Sequence, residues 1–342
     1  MVAALLGGFA CSSEGSGAAV AADGSAGGSS PGGSAGASST GGLGNGGSGA
    51  GGATPGMPGQ VGACTMFPGD DQWNRDISKA PVDATWTSRL SAMVGDIRIH
   101  PDFGAGYGIP INVVSSSQAA VAVTYDGYPD ESDPGPYPLP DPSVAKIEGG
   151  TPTDCSGDCH FLVIQSGTCL LWEGYACSHS SGWRCSNGAR WDLTRISYGQ
   201  REKEWTSADA AGLPIAPGLV RLAEVRAGRV THAIRFTVRC TQATYVAPAT
   251  HQAVPGSCDP TNSPPMGLRV RMKADYDISG LSQSAQVIAT GMKTYGMIIA
   301  DNGSNFYFQG EDDPGWTDDD IEPLKTIQAS SFEVIVPPPL EP

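Results

Sequence analysis

The stretch at residues 160–173, HFLVIQSGTCLLWE, holds two short apolar runs separated by Ser166-Gly167. Strand-length apolar runs broken by a small turn dipeptide mark an antiparallel hairpin. Taken as a two-residue loop, Ser166-Gly167 sets Gln165 opposite Thr168, Ile164 opposite Cys169 and Phe161 opposite Trp172. His160 then faces Glu173, with Cβ atoms about 5 Å apart on one side of the sheet. A carboxylate beside an imidazole orients the ring and raises its pKa, which suits acid–base chemistry. A structural pair at a sheet edge is the plainer use of the same contact.

A second stretch, MIIADNGSNFYF at 297–308, sets Asn302-Gly303 between two further runs. Asn-Gly is the strongest short hairpin signal, and it predicts Ile299 opposite Phe306 and Met297 opposite Phe308. Other strand-length runs lie at 97–100, 111–114, 119–125, 219–225, 231–238, 268–274 and 332–336, with Gly, Pro and Asp clusters between them. Helical patterns are fewer. One covers 83–93. Another covers 284–295, with Val287, Ile288, Met292 and Tyr295 on one face, and a third starts at Thr317 ahead of Asp318, Asp319 and Asp320. Many short strands with few helices predict a mainly β domain, of β-sandwich or jelly-roll type, with short helical decoration.

The rest of the chain is of another kind. Residues 12–62 are almost wholly Gly, Ala, Ser, Thr and Pro, with Glu14 and Asp23 as the only charges. Such a segment buries too little apolar surface to offset its ordering entropy, which predicts a disordered tether with a reach of roughly 40 Å. Residues 2–10, VAALLGGFA, end at Cys11. They are too short to span a bilayer and read as the end of a signal peptide. Ala10-Cys11 resembles a lipoprotein signal, in which the cysteine is lipidated. The organisation predicted is therefore a leader over 1–11, a linker over 12–62 and a domain over 63–342. This implies an exported bacterial protein, lipid-anchored at the outer membrane of the cell envelope, or secreted. A net charge of −15 argues against nucleic acid or an anionic membrane surface as a partner.

Of the nine cysteines, setting Cys11 aside leaves eight, an even number that reads as disulfides in an exported chain. Cys177 with Cys185 and Cys240 with Cys258 are the local pairs that spacing suggests. Clusters at Cys155, Cys159, His160 and at Cys177, His179, Cys185 invite a metal, but their spacing does not fit the common zinc pattern, so no metal site is expected.

Further candidate residues surround the hairpin pair. His100 and Asp102 end a strand just before the Gly-rich FGAGYG. Arg269 and Arg271 alternate with apolar residues, giving a strand with one basic face suited to anionic glycans or to solvent. The loop DGYPDESDPG gathers Asp126, Asp130, Glu131 and Asp133, hard oxygen ligands dense enough for Ca²⁺, although a solvated acidic turn has the same composition. Tyr107, Tyr125, Tyr128, Tyr137, Trp183 and Trp205 lie in or beside Gly/Pro-rich loops, where flat rings with polar tips suit sugar faces. His232 alternates with Ile234 and Phe236 and reads as a core histidine; His251 reads as a loop cap. Nucleophile elbow, P-loop, dinucleotide fingerprint and HExxH are all missing from the domain.

The segments SADAAGLPIAPGLVR (207–221), PPMGLRVRMKADYDISG (264–280) and MKTYGMIIADNGSNF (292–306), with DESDPGPYP (130–138) upstream, are similar to a widespread set of secreted bacterial proteins of uncharacterised function. The resemblance covers most of 65–336 and implies export, not a reaction. The sequence reading is thus a protein acting on a polysaccharide by acid–base hydrolysis or lyase-type cleavage. In it His160 and Glu173 are the acid–base pair, His100 and Asp102 support them, and Arg269 and Arg271 hold substrate beside Tyr107, Tyr128 and Trp205. The alternative is a non-catalytic lipoprotein that binds a glycan or a partner; a third is a purely structural envelope protein.

Overall fold

A computed structural model describes residues 59–253, 258–338 and 340–341. The leader, Cys11 and most of the expected linker lie outside the described residues. The described residues begin slightly before the expected boundary: strand Gln60–Val61 pairs with Cys64–Thr65, and the Gly59 amide donates to Glu224 at 2.8 Å.

Ten strands build the two larger sheets: β1 (His100–Asp102), β2 (Ile111–Val114), β3 (Phe161–Gln165), β4 (Leu170–Tyr175), β5 (Asn187–Asp192), β6 (Ile234–Val238), β7 (Arg269–Met272), β8 (Met297–Asn302), β9 (Tyr307–Gln309) and β10 (Phe332–Val334). Four lie in the order β5-β4-β3-β2 and six in the order β10-β7-β8-β6-β9-β1. Among the described residues the regular structure is thus mostly strand, in several sheets, with a few short helices. These are α1 (Ala84–Val94), α2 (Leu222–Arg226), α3 (Gln283–Thr294) and α4 (Asp318–Ile321). Asp83 caps α1, its carboxylate accepting from the Trp86 amide at 2.9 Å, and Ser282 caps α3 through the Ala285 amide at 3.3 Å. The run at 219–225, read as a strand, instead turns into α2, because Leu-Ala-Glu-Val-Arg is built from good helix formers.

The β3–β4 hairpin exists with a wider loop than expected. Gln165 pairs with Leu170 and Leu162 with Glu173, since Cys169 takes a left-handed conformation (φ 53°) and is tied to Cys64. The register is shifted by two residues, and a shift of two preserves the faces. His160, two residues before Leu162, therefore stays on the Glu173 face but sits diagonally from it. The hairpin expected across Asn302-Gly303 does not form. Strand β6 inserts between its arms: Phe236 pairs with Ile299 of β8 on one side and Phe308 of β9 on the other. The arms are held apart by the Thr237 hydroxyl, which donates to the Ser304 carbonyl at 2.7 Å. Strand β5, NGARWD, carries none of the usual β-branched signal and was missed; all six residues pair with β4.

Alternation gives each sheet two unlike faces. In the six-stranded sheet Ile234, Phe236, Val238, Val270, Phe308 and Val334 belong to the main core, and α1 and α3 pack against its β10 and β7 strands. The opposite face carries Arg235, Thr237, Tyr307, Gln309, His100 and Asp102. In the four-stranded sheet Leu162, Ile164, Leu171 and Trp191 enter the main core. Phe161, Val163 and Trp172 enter a second cluster with Tyr137, Trp183, Cys177 and Cys185. Four disulfides staple these layers: Cys64–Cys169, Cys155–Cys159, Cys177–Cys185 and Cys240–Cys258. Among the described residues no helix is long and apolar enough to cross a membrane.

Candidate active site

Residues 206–221, TSADAAGLPIAPGLVR, join the two sheets. From the four-stranded sheet, Asn187 donates to the Ser207 carbonyl, His160 to the Ala208 carbonyl at 3.1 Å, and Glu173 accepts from the Ile215 and Ala216 amides at 2.9 and 2.8 Å. Toward the six-stranded sheet, Asp209 meets Arg235, the Ala211 amide donates to the Ala300 carbonyl at 2.9 Å, and the Val220 amide donates to the Gln309 carbonyl at 3.1 Å. Gly218 lets this segment lie flat, because a Cβ there would stand 2.7 Å from the Trp73 ring and 3.0 Å from the Arg235 Cβ.

Seven ionisable groups gather where the segment meets the sheets: Asp102, Glu148, His160, Glu173, Asp209, Arg235 and Asp301. Arg235 and Asp209 form a buried two-pronged pair, Nε to Oδ2 at 3.0 Å and Nη2 to Oδ1 at 2.7 Å. Burial opposes the guanidinium charge, but Asp209, with Asp301 and Glu148 nearby, holds it above its ordinary pKa. His160 gives Nδ1 to Glu148 and Nε2 to Ala208. Burial works against this imidazolium as well, yet the Glu148 carboxylate lifts it to about 9, so both ring nitrogens donate at neutral pH. In return, despite burial, His160 holds the Glu148 carboxyl below its usual range.

Two carboxyls move the other way. Burial and the neighbouring Asp209 push Asp301 up to about 7, against the pull of Arg235. Burial also raises Glu173 to about 7, in spite of the Ala216 and Ile215 amides. Asp102 is raised by burial and by Glu148. Five carboxyls face two cations here, and the low-dielectric surroundings resolve the excess by keeping protons on some of the acids.

The cluster has an open side. Glu148 keeps 26% of its side chain exposed, and Asp301 and Asp102 are half-buried, whereas His160, Glu173, Asp209 and Arg235 are buried behind them. A bulge sets Asp301 in place: Phe236 pairs with Ile299 but Thr237 with Asp301, leaving Ala300 unpaired. The extra residue rotates Asp301 onto the polar face beside Arg235. Tyr175 lies by the opening, its ring 5.6 Å from His160 and its phenol raised by burial and by Asp158, Asp301 and Tyr128. On the other flank His100 stacks on Tyr307 at 4.1 Å, and Asp102 interacts with Gln309.

The structure therefore brings His160, Glu173 and Asp102 into one cluster, with His100 on its edge. It does not hydrogen-bond His160 to Glu173: the imidazole takes Glu148, and Glu173 takes the 215–216 amides. Tyr107 and Tyr128 are 48% and 45% exposed. Trp205 stacks against Arg201 at 5.2 Å. Arg269 and Arg271 lie elsewhere. Both are buried and donate to main-chain carbonyls, Arg269 to Gln72 at 2.7 Å and Arg75 at 3.1 Å, Arg271 to Ala80 at 3.2 Å; Arg271 also pairs with the Glu333 carboxylate at 2.6 Å. They fasten the 72–80 segment, so the basic stripe is not a free surface. In the acidic loop Asp126 pairs with Arg184, Glu131 accepts from the Thr206 amide, and Asp133 accepts from the Arg201 guanidinium and the Arg190 backbone amide. Among the described residues no group of three His, Cys, Asp or Glu side chains is set to hold a metal ion. His232 is buried, bonded to Glu224 at 3.0 Å, and His251 bonds the Ala210 carbonyl at 2.8 Å.

Glu148, Asp209, Arg235 and Asp301 were not singled out from the sequence. Arg235 and Asp301 carried a signal all the same: each is a charge inside an otherwise apolar strand, AIRFTV and MIIADN. No family model, curated protein or solved structure matches this chain.

Proposed function

We propose that this cluster is the acid–base centre of an exported protein that hydrolyses a polysaccharide. The observation that carries the proposal is the pairing of two partly open carboxyls, Asp301 and Glu148, around the buried Arg235–Asp209 pair and His160; their surroundings pull them apart, burial and Asp209 raising Asp301 to about 7 and His160 holding Glu148 low. Two neighbouring carboxyls with opposite protonation are what glycoside cleavage uses. Asp301 gives its proton to the glycosidic oxygen as the bond to the anomeric carbon breaks. Ionised Glu148 faces the positive charge that develops there and takes a proton from the attacking water. His160 and Arg235 are positioning residues, His160 keeping Glu148 charged and Arg235 gripping both oxygens of Asp209, and Glu173 fixes the bridging segment. His100 and Asp102 flank the cluster, and Tyr107, Tyr128 and Trp205 offer rings to sugar faces.

Four disulfides support an oxidising compartment outside the cytoplasm. With a lipid on Cys11 and the Gly/Ser tether, the domain works at the cell envelope; without the lipid it is secreted. Two sheets joined by one inner segment support a sandwich-type reading of the architecture. A non-catalytic glycan-binding role is favoured by the exposed Tyr107 and Tyr128, and in that role the loop of Asp126, Asp130, Glu131 and Asp133 is a place for Ca²⁺.

The test is a polysaccharide screen with the full-length protein, reading released reducing ends. Hydrolysis of at least one glycan, lost in both Asp301→Asn and Glu148→Gln with unchanged circular dichroism, is the expected result. Full activity in either variant removes the assignment.

A further inference from the structure

Resting on that catalytic reading, we infer that the glycan taken by this site is neutral and not a polymer of uronic or otherwise anionic sugars. Charge at the cluster is one ground. Its two cations are already spent: Arg235 on both oxygens of Asp209, His160 on Glu148 and the Ala208 carbonyl. Lys325, which approaches His100 and Tyr107, is bridged to Glu322. The arginines that a sequence reading offers to an anionic sugar, Arg269 and Arg271, are buried against main-chain carbonyls and Glu333. An incoming glycuronate would bring one more carboxylate to Asp102, Glu148 and Asp301, with no uncommitted cation among these groups to receive it.

The second ground is a committed donor. Gln309 is buried, stands opposite Asp102 in the β9–β1 ladder, and gives its side-chain amide to the Asp102 carboxylate. The neutral donor beside the acids is therefore taken as well, and an incoming carboxylate would have to compete with Asp102 for it. The same chemistry selects between cleavage modes. Eliminative cleavage removes the proton beside a uronate carboxylate, forms a carbon–carbon double bond as the glycosidic oxygen leaves, and needs that carboxylate neutralised. Hydrolysis needs only water, whose hydroxyl goes to the anomeric carbon while a proton goes to the leaving oxygen.

The experiment sets neutral polysaccharides, a glucan and a mannan among them, beside pectate, alginate and hyaluronate. Full-length protein is assayed for binding by affinity electrophoresis, for reducing ends, and for the ultraviolet absorbance of unsaturated products. We expect a neutral polymer to bind at least tenfold tighter than any anionic one and to yield reducing ends without unsaturation. Unsaturated product, or preferential binding of an anionic polymer, overturns the inference. Neutral binding without cleavage supports it and overturns the catalytic reading instead. No binding of either class overturns it as well.

Discussion

Asp301 stands opposite Thr237 instead of Val238, because Ala300 is an unpaired residue in strand β8. One extra residue decides which side of the sheet the carboxyl occupies. Without it, Asp301 would point with Phe236 and Val238 into an apolar core. With it, the carboxyl reaches the polar face and shares the field of Arg235 and Asp209. Asp301→Asn should therefore fold normally, since Asn keeps an acceptor for the Asn302 amide, which the carboxylate now receives at 2.6 Å. Turnover should fall by roughly 10²–10⁴ as the proton donor is lost. Reducing-end assays with circular dichroism of the same sample check both parts.

Stability should peak in mildly acid solution. Asp301 and Glu173 have folded pKa values raised to about 7, so the folded state holds protons that the unfolded chain has released. Their contribution is full below the ordinary carboxylate range and is lost as pH rises through 7. His160, raised to about 9, adds a loss between its ordinary value and 9. Glu224, held at about 2 by Arg221 and His232 in spite of burial, works in the opposite sense and loses its contribution as pH falls from its ordinary value toward 2. Thermal melts should thus show a maximum near about pH 4–5 and a decline toward 9. In Asp301→Asn the slope between 4 and 7 should flatten; an unchanged slope would contradict the assignment.

Removing Glu148 should be felt at His160. In Glu148→Gln the imidazole keeps Ala208 but loses its main counter-charge, so its pKa should drop well below about 9, because burial and Arg235 then outweigh what Asp158 supplies. Nitrogen-15 shifts of the His160 ring report this directly. The broken pair should cost about 3 kcal/mol in urea unfolding.

Much of the scaffold was legible in the residues, and the site much less so. The β3 and β4 strands, the helices at 83–93 and 284–295 and the two local disulfides follow from patterns that act within 18 residues. What misled was non-local. Asn302-Gly303 has every mark of a hairpin, yet the apolar run 234–238 competes for the same edges and wins both. The loop after Gln165 was misjudged because Cys64, distant in sequence, pins Cys169. His160 and Glu173 share a face but do not meet: their partners come from Glu148 and from 215–216, which no spacing rule connects to a strand pair. A charge in an apolar strand, Arg235 above all, was the clue that stood in plain view.

The buried arginines should separate by role. Arg269→Met leaves the carbonyls of Gln72, Arg75 and Tyr295 without a donor and should cost at least about 3 kcal/mol, with turnover per folded molecule unchanged. Arg235→Met strands Asp209 in the cluster and should lose about 3–5 kcal/mol and activity together. Urea titration and single-turnover assays on the two variants distinguish them.

The disulfides should account for all eight cysteines from Cys64 to Cys258. Thiol counting under denaturing conditions should find none of these free. Paired Cys64→Ser and Cys169→Ser substitutions, which open a link across 105 residues, should destabilise by about 4–5 kcal/mol. A loss within error would mean that the N-terminal strap is held by packing alone.

The most direct test is titration of the carboxyls themselves, by carbon-13 detection in protein labelled at Asp and Glu, with Asp301→Asn and Glu148→Gln for assignment. The account predicts that Asp301 takes up its proton near pH 7 while Glu148 stays ionised to below its ordinary range. Both carboxyls titrating together near pH 4 would contradict it.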